Sequence, residues 1–201
     1  MSERTLSGHF LHHFVETIAT ELGRDNLSIV LEKAGLPPDW SEPTRWGPLK
    51  GESAAEAYAG LQKAMRIYYG RGARGTLIRV GGSLWKRLLD DAPLAVKAQS
   101  KIIFGRPVNA RRKPALELLA KLLSDQRDDV TVHTLDLDLL LADKASAGTL
   151  GQNESDHICY VTLGLLRECL YWATGREHDI EEVSCRANGG EACEFKITIG
   201  G

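Results

Sequence analysis

The sequence predicts an α+β fold: a helical N-terminal half, then an antiparallel sheet packed with one long central helix. Three observations carry that reading. Apolar residues recur at helical spacing through the first ~120 positions. From Asp129 onward they alternate instead, as in "DVTVHTLDLDLLLA". Near the C-terminus two alternating runs flank an Asn-Gly-Gly turn, "HDIEEVSCRA" and "ACEFKITI", which reads as a hairpin. Helices and strands are segregated along the chain rather than interleaved, so a βαβ repeat is excluded.

"GHFLHHFVETIATEL" places Phe10, Phe14, Ile18 and Leu22 four apart, the stripe of an amphipathic helix. "DNLSIVLEKAGL" is a second helix, with Asp25 or Asn26 as its cap and Gly35 as its stop. The Pro- and Gly-rich "PPDWSEPTRWGPLKG" is a connector. "ESAAEAYAGLQKAMRIYYG" is a helix, and "TLIRVGGSLWKRLLDD" extends helical structure in spite of its paired glycines. "KPALELLAKLLSDQ" is a short helix with Pro114 near its first turn. The alternating segment from Asp129 is strand material with one phase slip, read as two short strands. "DKASAGTLGQNES" is a polar loop. "HICYVTLGLLRECLYWATG" is a helix of ~18 residues, ~27 Å long, capped by Ser155 or Asp156 and ended by Gly175. Its apolar positions cover most of its circumference, so it belongs in the interior. Residues 1–50 form N-terminal helices and a connector, a candidate dimerisation surface; residues 51–201 form the ligand-binding part.

Composition narrows the function classes. A 43% hydrophobic content lets 201 residues bury a core without staples. A net charge of −2 supplies no field to draw nucleic acid. There is no run near the ~18 apolar residues of a membrane span, and "MSERTLSGHF" lacks a signal peptide's regions. A cytoplasmic, reducing compartment is expected, which disfavours a disulfide.

The cysteines carry the chemistry. Cys193, Phe195, Ile197 and Ile199 share one strand face; Val183, Cys185 and Ala187 share another, and both sets are read as inward. Cys185 and Cys193 are symmetric about Gly189, which sets them opposite one another with Cβ atoms ~4.5–5.5 Å apart. Two thiolates on one tetrahedral zinc, each ~2.3 Å from the ion, need sulfurs ~3.8 Å apart. Cys159, in the first turn of the long helix, is a third thiolate favoured by the helix dipole. Glu181 and Glu182 are both within reach as a fourth ligand. Strand pleat favours Glu181, which shares the Cys185 face. Buried free thiols and a disulfide are the alternatives to a metal.

Cys159, Glu182, Cys185 and Cys193 form C-x22-E-x2-C-x7-C. Together with "EEVSCRANGGEACEFKI", this resembles the C-terminal signature of the 4-vinyl reductase-type domain. That small-molecule-binding domain is similar to the sensor domains of phenol-responsive transcription activators and to proteins assigned as bacteriochlorophyll 4-vinyl reductases. The resemblance is specific over residues 157–199 and looser elsewhere, where "YYGRGARGTLIRVG" is similar to the family's middle segment. It implies a structural Zn²⁺ held by Cys159, Glu182, Cys185 and Cys193, with Glu182 rather than Glu181 as the carboxylate. A bulge, or a strand that starts late, would reconcile Glu182 with the pleat. Three thiolates and a carboxylate leave the site negative, so cations are expected nearby, with Arg186 and Lys196 the neighbours in sequence.

Other signals have plainer readings. "GRGARG", from Gly70 to Gly75, lacks the preceding strand of a dinucleotide site and is a turn between helices. His9 and His13 have a spacing that can hold a metal, but no companion acid is fixed by sequence, and a solvated or interface face is preferred. His12, His157 and His178 read as surface histidines, Cys169 as a core thiol, and Arg106, Arg111, Arg112 and Lys113 as a solvated loop. Trp40, Trp46, Trp85 and Trp172 are core or pocket aromatics, with Trp172 the candidate ligand-binding residue. No catalytic set and no redox-cofactor motif is visible. Three functions follow: a zinc-stabilised carrier or sensor of a small hydrophobic or aromatic ligand; an accessory or reductase component acting on the 4-vinyl group of a tetrapyrrole in (bacterio)chlorophyll synthesis; or a homodimeric assembly protein without ligand, similar to vesicle-tethering subunits.

Overall fold

The computed structural model describes residues 4–42, 45–46, 48–124, 126 and 128–199. Helix α1 spans Gly8–Leu22. The Ser7 hydroxyl accepts a hydrogen bond from the Phe10 N–H at 3.1 Å and caps it. Phe10, Leu11, Phe14 and Ile18 are buried along its stripe. Gly23, at φ 85°, breaks the chain directly into α2, Arg24–Lys33. That start precedes the expected cap: Asp25 lies inside the first turn, and the Asn26 amide instead donates to the Leu22 carbonyl at 2.6 Å. Gly35, at φ 70°, follows the helix as expected. In the connector, Pro38–Ser41 form a 3-10 turn, and the buried Trp46 indole donates to the Trp40 carbonyl at 2.7 Å. Residues 43, 44 and 47 of that connector lie outside the described residues.

Helices α3 (Glu52–Tyr69) and α4 (Ala73–Asp90) are joined by the 3-10 turn Gly70–Gly72, so "GRGARG" is indeed an interhelical turn. The paired glycines sit well inside α4, and packing explains the first of them, Gly81. A Cβ on Gly81 would strike the Val161 carbonyl oxygen, and one on Gly164 would strike the Ile78 carbonyl oxygen. Glycine at both positions lets two backbones cross in contact, a gain that offsets the ~1 kcal/mol helix penalty of glycine. Helix α5, Leu94–Phe104, is an element that no sequence signal predicts. It buries only Ile103 and leaves Leu94, Ile102 and Phe104 exposed, so no inward stripe announces it. Helix α6 spans Arg112–Leu123.

Strands β1 (Val130–Leu135), β2 (Asp138–Asp143), β3 (Asp179–Ser184) and β4 (Cys193–Thr198) form one antiparallel sheet in the order β1-β2-β4-β3. The phase slip in the first alternating segment is a hairpin turn. Leu135 pairs with Asp138, Asp136 adopts φ 49°, and Leu137 is 77% exposed. Asp tolerates this left-handed conformation better than most residues. Helix α7, Tyr160–Thr174, is buried nearly all round and packs on α4, α6 and β3. Gly175, at φ 68°, ends it. One cluster of buried apolar residues runs continuously from Leu6 to Ile197. The fold class is therefore the α+β arrangement that the sequence predicts.

Candidate metal centre

Three local structures bring Cys159, Glu182, Cys185 and Cys193 together. Cys159 is the residue before α7, not a member of its first turn, and neither Ser155 nor Asp156 caps the helix. The Glu182 carboxylate explains the late start, because it accepts the Cys159 N–H at 3.1 Å. Glu182 itself faces inward because β3 is bulged. The register with β4 shifts between Glu182 and Ser184, which turns Val183 out to 44% exposure and leaves Glu182 at 8%. The inward placement expected for Val183 is thus corrected by the bulge. The same bulge puts Cys185 and Glu182 on one side despite their spacing of three, while Glu181 is exposed. Cys185 and Cys193 oppose each other as their symmetry about Gly189 implies: Ser184 pairs with Glu194, and Gly189 takes φ 94° in the connecting turn.

The Cys159 sulfur lies 3.8 Å from that of Cys185 and 3.3 Å from that of Cys193. One donor atom from each of the four residues falls within 4.8 Å of the other three, and all four residues are buried. All the cysteines are free thiols. The spacing approaches the ~3.8 Å separation of sulfurs around tetrahedral zinc. Glu182 Oε1 is buried without a conventional hydrogen bond, an orphaned acceptor of the kind a cation satisfies. Burial, ahead of the neighbouring Cys185 charge, pushes the Glu182 carboxyl up to about 8. Hydrogen bonds from Cys159 and Cys193 hold the Cys185 thiol well below its ordinary range. Hydrogen bonding to Cys185 and Cys193, together with burial, pushes Cys159 well up. Cys193 rises to about 12: the bond from Cys159 lowers it, but hydrogen bonding to Cys185 and burial outweigh that. This set could hold a metal ion, and an ion entering it would displace protons.

The surroundings include residues with no sequence signal. The Arg186 N–H donates to the Cys193 sulfur at 3.4 Å. Arg4, from the other end of the chain, interacts electrostatically with Cys193 and Asp143. Its guanidinium also donates to the Thr149 carbonyl at 2.9 Å. The Ser146 hydroxyl is 3.9 Å from the Cys159 sulfur. The segment read as a polar loop therefore contributes buried Ala145, Ser146 and Ala147 to the edge of the site. Lys196 does not serve as a balancing cation. It faces solvent and pairs with Asp138 at 3.2 Å, because alternation turns it away from the Cys193 face. His178 lies apart from the cluster, bonded to Arg112 and to the Arg176 carbonyl at 3.0 Å each. Cys169 is a core thiol that donates to the Ala115 carbonyl at 3.3 Å.

Trp172 is half-buried, edge-on to Trp85 at 5.5 Å and to Phe104 at 4.8 Å. A separate small recess, about 20 Å³, lies where α1 and α3 meet the sheet end of the molecule. Leu6, Phe10, Tyr58, Asp143, Ser146 and Thr162 are among its lining residues.

Residues 145–199 match the V4R domain. That segment is thus similar to the 4-vinyl reductase-type domain, and all four cluster residues fall inside it. The segment supplies α7 and the β3–β4 hairpin. Solved structures extend the likeness to the whole fold. An H-NOX protein from S. oneidensis in the Fe(II)NO ligation state has 12% identity and a TM-score of 0.57, covering 98% of this chain and 100% of that one. A mutant H-NOX from T. tengcongensis has 15% identity and a TM-score of 0.58, covering 98% of each chain. An oxygen-binding H-NOX domain related to soluble guanylate cyclases has 16% identity and a TM-score of 0.54, covering 96% of this chain and 93% of that one. These likenesses concern the fold. No curated protein matches the chain. Among the described residues, no helix is long and apolar enough to cross a membrane.

Proposed function

We propose that this protein is a carrier or sensor domain for a small hydrophobic or aromatic molecule, stiffened by a structural zinc ion on Cys159, Glu182, Cys185 and Cys193. The observation that carries the reading is the closed, fully buried set of four donors inside the V4R-matched segment. Four protein ligands leave no coordination position for substrate, which is the mark of a structural site. Zinc would pin the start of α7 to the hairpin and thereby hold one wall of a ligand chamber.

The chamber is proposed at the recess beside Phe10, Tyr58 and Thr162. Its lining sets apolar Leu6 and Phe10 beside polar Asp143, Ser146 and Thr162, groups that could orient a ligand. Gln62 on α3, close to Gly148 of the lining, has a buried side-chain N–H without a partner. At about 20 Å³ the recess holds roughly one water, so a phenol-sized guest requires α1 and α3 to move apart. Trp172 is a second candidate contact, through its edge beside Phe104. Haem, which structures of the H-NOX family are described as containing, does not fit this lining. The recess is too small, and no His, Cys or Met side chain borders it.

The test is a thermal-shift and calorimetric screen of the zinc-loaded chain against phenols, alkylbenzenes and free tetrapyrroles. Thr162→Leu, which fills the recess, serves as control. A saturable compound that raises the Tm of wild type and loses affinity in the variant supports the reading. Tetrapyrrole binding alone would move it to the accessory role in pigment synthesis. No binding from any class would contradict it.

A further inference from the structure

His9 and His13 project from one face of α1, one turn apart. The structure supplies the acid that the sequence leaves undetermined: Asp91, at the end of α4. Asp91 Oδ2 lies 2.9 Å from His9 Nε2 and 3.1 Å from His13 Nε2. The two Nε2 atoms are 3.3 Å apart. Three donor atoms thus converge on one point, with the spacings that ~2.0–2.1 Å bonds to a common ion produce. His13 is 8% exposed, while His9 and Asp91 are open to solvent.

The tautomers point the same way. A neutral imidazole carries one N–H. If His13 carries it on Nε2, its buried Nδ1 is left as a bare lone pair. That Nδ1 has no hydrogen-bond donor and sits 3.6 Å from the Glu16 carboxylate. If His13 carries it on Nδ1, the proton faces Glu16, but the Nε2 lone pair then faces the Asp91 oxygen and His9 Nε2, whose one proton must be shared with Asp91. Protonating both nitrogens would satisfy both acids, yet burial opposes that charge and lowers the His13 pKa. A cation at the point of convergence removes the conflict. Nε2 of each histidine and Oδ2 of Asp91 bind the ion, and His13 Nδ1–H points to Glu16. A carboxylate behind a metal-bound histidine is the usual outer support of such ligands.

We infer that His9, His13 and Asp91 form a second metal site, for a borderline divalent transition ion of the Zn²⁺, Ni²⁺ or Cu²⁺ class. With three protein ligands at the surface, it keeps at least one position for water or an added ligand. It ties α1 to the end of α4 and is independent of the cysteine cluster.

The experiment is a Zn²⁺ titration of the full-length protein, followed by calorimetry and by NMR of the imidazole nitrogens. Wild type, His9→Ala and Asp91→Asn are compared, each with the cysteine cluster intact. The expected result is a zinc equivalent that shifts the Nε2 resonances of His9 and His13 and retains Nδ1–H on His13. In either variant its affinity should fall by more than the roughly 10–100-fold that loss of an outer partner costs. The exposed His9 position keeps that variant folded, and Asp91→Asn preserves shape if it does not. Equal stoichiometry and affinity in all three proteins, or unshifted imidazoles at saturating zinc, would overturn the inference. Glu182→Gln, titrated alongside, separates this site from the cysteine cluster, because weakened zinc binding at the cluster leaves the imidazole shifts in place.

Discussion

The cysteine cluster and the histidine cluster gather ligands in opposite ways. The first is buried, takes four donors from three local structures near the C-terminus and offers nothing to solvent. The second is half open, takes three donors from α1 and the end of α4 and leaves room for exchange. Burial sets the consequence. In the proposed reading, a closed thiolate site has no partner other than its ion, so metal and fold would stand or fall together. An open imidazole site is satisfied by water when empty, so its ion adjusts stability without deciding it.

The largest effect that would break this contrast comes from Cys185→Ala. Structural zinc contributes ~10–16 kcal/mol of apparent binding energy in zinc-finger peptides, against the ~5–15 kcal/mol that stabilises a whole domain. The variant should lose its zinc and unfold several kcal/mol more easily in urea. A denaturation midpoint equal to that of wild type would show that the cluster is a set of ordinary core thiols. Next in size is Gly164→Leu, which drives a side chain into the Ile78 carbonyl. Overpacking commonly costs ~1–3 kcal/mol, and a helix backbone yields less than a side chain, so the upper end is expected from chemical denaturation. That change disturbs α7, which leads out of the cysteine site, and should weaken zinc retention there while leaving the His9 site intact.

Glu182→Gln against Glu181→Gln sharpens the ligand assignment. The buried position, as a direct ligand, should cost more than the roughly 10–100-fold in zinc affinity that loss of an outer partner costs, above ~1.4–2.7 kcal/mol. The exposed one should cost nothing measurable by competition with a chelator. Equal effects would undo the role given to the β3 bulge. His9→Ala should leave metal-free stability within about 0.5 kcal/mol and abolish only the Tm gain from the second zinc.

The smallest effect is a pH dependence away from both clusters. Burial, ahead of the Arg112 charge, lowers the His178 pKa. Its stabilising contribution is therefore complete above the ordinary histidine value of about 6.5. It is lost as pH falls below that value towards the lowered one, because the unfolded chain takes up the proton first. The Tm should decline on acidification from pH ~7 to ~5.5, and His178→Asn should decline less.

Local features were legible in the sequence. Helix α1 announced itself through its four-residue stripe, whereas its bounding Ser7 and Gly23 emerged with the structure. The Cys185–Cys193 pairing followed from symmetry about a turn. Glu182 was reachable only through the resemblance, since pleat alone selects Glu181 and a bulge is not written in residue types. Helix α5 escaped because its apolar residues face outward. Partners distant in the chain were invisible as well. Arg4 comes to Cys193 from the opposite terminus, and Asp91 reaches His13 across 78 positions. Only the packing of α1 along α4 brings that last pair together.

The most direct test of the central claim is zinc-edge X-ray absorption on the His9→Ala protein as isolated, which silences the second site. The account predicts one zinc per chain, with three sulfurs at ~2.3 Å and one oxygen at ~2.0–2.2 Å. Metal-free protein with all of its thiols titratable in the unfolded chain, or zinc with only nitrogen and oxygen neighbours, would contradict it.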